Sequence, residues 1–139
     1  MLIKTHNFSA SELSVFRERQ RLSFSIQQTV ASELKGGETE KEVAHELVKR
    51  YRAAGADSFF HLPVALFGER CALPGDWTVG QFFPKRKILE PGMSVILDAA
   101  PLFSGYLVDT SFSFCFGENA EHRAMMTHLS QYRDSVPEA

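Results

Sequence analysis

Between Ser94 and Phe114 lie two aspartates, Asp98 and Asp109, eleven residues apart, each next to an apolar run, with Pro101, Ser104 and Gly105 between them. Such a segment reads as two strands joined by a reversal. A reversal about Phe103-Ser104 sets Asp98 directly opposite Asp109 on one face, with Cβ atoms about 4.5–5.5 Å apart. Alternation along the second strand puts Asp109, Ser111, Ser113 and Cys115 on that face, and Val108, Phe112, Phe114 and Phe116, with Thr110, on the other. The Phe face belongs against helices, whereas the acidic face needs another reason to exist. Like charges opposed across a ladder destabilise it. The remedies are a shared proton, which raises one carboxylate pKa, or a cation between the two groups. Hard-to-borderline divalent ions prefer carboxylate oxygens, so a metal site is one resolution. The other is a pair of unrelated surface aspartates on a slipped hairpin, because one residue of slip removes the pairing.

The chain ahead of this segment reads as helical. Ser9-Ala10-Ser11-Glu12 has capping-box spacing, Leu13, Phe16, Phe24, Val30 and Leu34 follow at roughly helical intervals, and Gly36-Gly37 is a stop. Thr39-Glu40-Lys41-Glu42 repeats the cap; Val43, Leu47, Val48 and Tyr51 then share a face, and Gly55 ends the segment. His45 falls on the opposite, polar face and reads as solvated. Ser58 to Phe67 looks like one strand interrupted at Pro63, Gly68 to Phe83 like a loop, and Leu89-Glu90-Pro91-Gly92 like a turn. Met93 to Leu97 and Tyr106 to Phe116 are the hairpin strands, and a last helix is expected from about Ala120 to Arg133. Residues 1–139 are thus expected to form one unit: helical over 9–55, strand, loop and hairpin over 57–117, then a helix over about 120–133. Helices segregated from an antiparallel sheet give an α+β class.

Composition narrows the function classes. With 44% of its 139 residues apolar and 23% charged, the chain excludes a disordered or fibrous protein. A net charge of −2 leaves no basic surplus for nucleic acid or anionic lipid. No apolar run approaches the roughly 20 residues of a membrane span, and the first residues do not read as a secretion signal. The expected compartment is the cytoplasm, with Cys71 and Cys115 as reduced packing thiols.

Leu97-Asp98-Ala99 followed by Gly105-Tyr106, Asp109 and Phe114 resembles the pita-bread metallopeptidase superfamily, which includes methionine aminopeptidase, aminopeptidase P, prolidase and the non-peptidase creatinase. Phe67-Gly68-Glu69-Arg70-Cys71-Ala72-Leu73-Pro74 is similar to the segment before the family's first active-site histidine, and Leu89 to Met93 to the turn before its first metal strand. The resemblance covers most of this chain, but only the N-terminal half of a typical catalytic domain. It implies half of a pita-bread fold and a divalent metal pair of manganese, cobalt, iron or zinc. Asp98 would bind one metal and Asp109 bridge both, with an activated water attacking an amide carbonyl. Substrates would be the N-terminal bond of a peptide, or an Xaa-Pro bond.

Three departures matter. The family's further ligands, a His and two Glu, have no counterpart before Ala139; Gly75 stands where the substrate-facing histidine is expected; and Phe112 stands where proline-specific branches often have Arg. A truncated chain, weakly active or inactive alone, is therefore expected. His61 is the substrate-pocket candidate, its alternative being a satisfied sheet histidine, while His6, His122 and His128 read as structural or solvated. Two other readings stay open: a non-catalytic module reusing half the fold, which would pair with a second copy or a completing partner chain, and a creatinase-type C–N hydrolase.

Overall fold

The computed structural model describes residues 8–72, 75–76 and 78–136. Both capping boxes form. Ser9 Oγ accepts from Glu12 N (3.2 Å) while Ser9 N donates to Glu12 Oε2 (2.8 Å), opening α1 at Ala10–Glu33. Thr39 and Glu42 repeat the arrangement to open α2 at Glu40–Ala53.

The buried face of α1 includes Val30, with Phe16 and Leu34 packed at its margin, but differs in part from the one read from sequence. Leu13 is exposed, and the buried positions are Ser23, Ile26, Gln27 and Val30. The reason lies across the interface, where a threonine of the sheet needs polar partners. Ser23 Oγ is hydrogen-bonded to Tyr51 OH of α2 (2.9 Å) and to Thr110 Oγ1, and Gln27 Nε2 donates to Thr110 O (2.8 Å). Around this polar knot close Val30, Val43, Leu47, Phe67, Val95 and Leu97, which form much of the apolar core.

The expected strand 58–67 is two strands, β1 (Ser58–Phe59) and β2 (Val64–Phe67), with a bend at 60–63. Pro63 has no N–H to give a ladder, which suits it to that bend. The hairpin arms are also broken, into β3 (Ser94–Ala99) and β4 (Pro101–Phe103) on one side and β5 (Tyr106–Leu107) and β6 (Thr110–Cys115) on the other. Two antiparallel sheets result, β1-β4-β5 and β2-β3-β6. Between β2 and β3 the chain makes a 3-10 turn, Gly68–Cys71, and a short helix α3, Val79–Phe82. Helix α4, Ala120–Ser135, follows β6, capped by Asn119 Oδ1 accepting from His122 N (3.0 Å).

The register corrects the expectation. The reversal is Ser104-Gly105, both with positive φ (52° and 85°), as a two-residue type I′ turn requires. It therefore sits one residue later than expected. Asp98 pairs with Ser111, and Asp109 lies two residues before that partner, beyond the end of β6. A two-residue displacement preserves the parity of the pleat, so both carboxylates stay on one face.

One buried carboxylate braces the region between the sheets and α2. Glu40, in the first turn of α2 and without solvent exposure, accepts from Phe67 N (2.9 Å), Lys85 N (2.7 Å) and Arg70 Nε (2.8 Å). Arg70 Nη2 in turn donates to the carbonyls of Gln81 and Phe83 (3.0 Å each), so the same ion pair holds α3 in place.

Candidate metal centre

Asp98 is positioned by the middle strand of a sheet, between β2 and β6, where it opposes Val64 and Ser111. Asp109 sits in the break between β5 and β6, immediately before Thr110, whose side chain and carbonyl are held by Ser23 and Gln27. His61 lies in the bend between β1 and β2, not on a strand as the sequence suggested. Because β1 pairs with β4 and β2 with β3, that bend crosses the hairpin where its arms are broken.

These three side chains converge. His61 Nε2 is 3.7 Å from Asp98 Oδ2 and 3.8 Å from Asp109 Oδ1, and one potential ligand atom from each residue lies within 4.8 Å of the other two. His61 Nδ1 lies 3.1 Å from the Leu62 carbonyl. Donation there places the proton of the neutral ring on Nδ1 and leaves the Nε2 lone pair facing the carboxylates. The Asp98 side chain is 20% exposed and that of Asp109 is 68% exposed, so one carboxylate forms the floor and the other the open side. Burial pushes the Asp98 carboxyl above its ordinary pKa; the nearby imidazole pulls it down and the Asp109 charge pushes it up.

The donor set fits a divalent ion. Ligand atoms sharing one ion at about 2.1 Å stand roughly 3–4 Å apart, and two carboxylates with an imidazole suit a hard-to-borderline cation. Sequence reasoning found both aspartates but placed His61 only as a pocket candidate. Pro63, with strand-like residues on both sides, was the available signal that the chain bends at this point.

The remaining candidates lie elsewhere. His122 Nδ1 is 3.4 Å from Ser94 Oγ, His128 is exposed on α4, and His6 lies outside the described residues. Burial pushes the Cys71 thiol up to about 11, and its Sγ donates to the carbonyls of Leu66 (3.2 Å) and Ser94 (3.3 Å), which suits a packing role. Gly75 is exposed in a turn, while Leu73 and Pro74 before it lie outside the described residues. A cavity of about 480 Å³ adjoins the centre, with both His61 and Asp98 in its wall. His45 is exposed as expected, yet it too borders this cavity.

Comparison with known proteins gives a family profile, metallopeptidase family M24, that matches residues 15–137. Among solved structures, prolidase from Pyrococcus furiosus matches with a TM-score of 0.76 at 20% identity, over 91% of this chain and 36% of that one. X-Pro aminopeptidase from Thermotoga maritima MSB8 matches at 0.74 and 20% identity, over 90% and 34% respectively. Xaa-Pro dipeptidase from Bacillus anthracis matches at 0.72 and 25% identity, over 87% and 32%. The helix and antiparallel-sheet architecture is thus that of half a pita-bread domain, and the chain spans about a third of the length of these structures.

Proposed function

The chain belongs to metallopeptidase family M24, and from that membership we propose that it contributes His61, Asp98 and Asp109 to a divalent metal centre hydrolysing a peptide bond near the N-terminus of a peptide. The observation that carries the reading is the approach of one imidazole to two carboxylates, at 3.7 and 3.8 Å, on a single open face. A bond preceding proline is the favoured substrate, supported by the fold shared with proteins named prolidase, X-Pro aminopeptidase and Xaa-Pro dipeptidase. We take residues 1–139 as one partial domain of such an enzyme and assign it to the cytoplasm, in keeping with two free cysteines.

In this reading Asp98 and Asp109 would hold the metal, and His61 would add its Nε2. Bound there, such ions supply Lewis-acid activation of water and of the amide carbonyl. The chain's own residues set up that chemistry. Donation from His61 Nδ1 to the Leu62 carbonyl keeps the Nε2 lone pair turned inward. The half-buried Asp98 carboxyl resists ionisation and gives up its proton more readily when a cation arrives. Three donors are fewer than a metal pair needs, so the 139-residue chain alone is expected to bind metal weakly and turn over little.

Calorimetric titration with Mn²⁺, alongside hydrolysis assays on Xaa-Pro dipeptides and longer Xaa-Pro peptides, tests the proposal. Binding is expected in the native chain and lost in Asp98→Asn and Asp109→Asn. Unchanged binding in both variants would refute the assignment, as would an absence of binding in the native chain.

A further inference from the structure

Asp109 is a donor with no ladder of its own. It falls between β5, which ends at Leu107, and β6, which begins at Thr110, and its side chain is 68% exposed. An open carboxylate in a strand break has few contacts to fix it, so its aim has to come from the backbone on either side. Before it the anchor is ordinary: Val108 is buried, and its N–H donates to the Pro101 carbonyl (3.2 Å). After it the anchor is polar and buried. Thr110 meets Ser23 Oγ through its hydroxyl and Gln27 Nε2 through its carbonyl (2.8 Å), and neither Ser23 nor Gln27 has any solvent exposure.

Tyr51 of α2 backs this grip. Its hydroxyl donates to the Ser23 carbonyl (3.2 Å) and lies 2.9 Å from Ser23 Oγ. Burial pushes the Tyr51 pKa up, so the group stays a donor. The hydroxyl protons can then run one way, from Thr110 to Ser23 to Tyr51 to the Ser23 carbonyl, with every hydroxyl satisfied. Packing alone does not call for this arrangement, because apolar side chains of similar size would fill the space without desolvating four polar groups. Gln27 makes the point most sharply. Its Oε1 has no hydrogen-bond partner among the described residues, an unfavourable state for a buried acceptor, while its Nε2 holds Thr110.

What these groups share is Thr110, gripped at both its side chain and its carbonyl, one planar peptide unit away from the Asp109 Cα. β6 is the edge of its sheet, so β3 alone would otherwise hold this residue, and from one side only. We infer that Ser23 and Gln27 are positioning residues, which act through Thr110 to fix the backbone that aims the Asp109 carboxylate toward His61 and Asp98. Groups that orient a metal ligand from behind are typically worth about 10–100-fold in metal affinity. This inference rests on the proposed metal centre for what Asp109 does, but not for whether Asp109 is held.

NMR scalar couplings that report χ1 of Asp109 in the metal-free chain, paired with Mn²⁺ titration by calorimetry, test it. One dominant Asp109 rotamer is expected in the native chain. Thr110→Val, which keeps the shape and removes the hydroxyl, and independently Gln27→Met, which removes the amide donor, should average that rotamer and weaken Mn²⁺ binding at least tenfold. Thr110→Ser restores the hydroxyl and should return both readouts to within threefold of native. Val43→Ala, a core truncation on α2, should lower the unfolding midpoint yet leave the rotamer and the affinity as they were. A native-like rotamer in Thr110→Val and Gln27→Met would overturn the inference, as would an averaged rotamer in the native chain or equal averaging in Val43→Ala. So would a failure of both variants to fold, which would make the knot purely structural. Where the native chain binds Mn²⁺, unchanged affinity despite an averaged rotamer overturns it too. A rotamer fixed in the native chain and lost in the variants, with no Mn²⁺ binding in any of them, would instead sink the metal reading and leave the positioning of Asp109 standing.

Discussion

Truncating Glu40 to alanine should be among the most damaging single changes in this chain, although the residue touches neither carboxylate of the proposed centre. The substitution leaves Phe67 N and Lys85 N without their acceptor and strands the Arg70 guanidinium, whose side chain is only 17% exposed. Removing one partner of a buried ion pair costs about 3–5 kcal/mol, because the remaining charge stays buried and unpaired. For a chain of 139 residues each kcal/mol corresponds to about 3–4 °C, so the midpoint should fall by roughly 9–20 °C. Glu40→Gln keeps the volume and one acceptor and should cost less, about 1–3 kcal/mol. Urea unfolding followed by circular dichroism measures both. Adding Arg70→Met to Glu40→Ala removes the stranded charge, so the double variant should be less damaged than the sum of the singles by at least about 1 kcal/mol. A Glu40→Ala cost below about 1 kcal/mol, or strict additivity with Arg70→Met, would show that the brace is not the coupled unit described.

Three further outcomes follow from the same geometry. Mn²⁺ at a hundredfold excess over its Kd should stabilise the native chain by about 2.7 kcal/mol, an effect absent in Asp98→Asn and Asp109→Asn when read by thermal denaturation. In the metal-free chain the raised Asp98 pKa means that the folded state holds the proton more tightly than the unfolded one. The stability this provides is complete below the unfolded value near 3.8 and is lost as pH rises through the folded value. The stability of Asp98→Asn relative to the native chain should therefore increase from pH 4 to pH 7, and a constant difference would refute the environment assigned to Asp98. With its pKa near 11, the Cys71 thiol should react with a disulfide reagent at pH 8 far more slowly in the folded chain than after unfolding, whereas labelling of the folded chain at a free-thiol rate would contradict the raised value.

How much of this was legible in advance depends on whether a feature is local. Capping boxes at Ser9 and Thr39 were readable because donor and acceptor are three residues apart. The shared face of Asp98 and Asp109 was readable too, since across a hairpin with a two-residue turn it needs only an odd separation along the chain and survives an even displacement. Their partners were not, because the register was set by which residues could take positive φ, and the turn chose Ser104-Gly105 over Phe103-Ser104. Inward Ser23 and Gln27 were invisible in a helix read by its apolar residues. Thr110, a hydroxyl on the phenylalanine face of β6, was the one hint that α1 must answer with polar groups. Glu40 entered only as a member of the Thr39-Glu40-Lys41-Glu42 cap, and nothing nearby in sequence announces Arg70, thirty residues on. His61 shows the same limit at the site itself. Its neighbours in the chain are Phe60 and Leu62, but the bend that carries it spans two sheets, and only their joint pairing with the hairpin brings Nε2 to the carboxylates. A sequence can therefore disclose which donors share a face of one hairpin, while a donor from a third strand connection becomes visible only once the sheets are assembled.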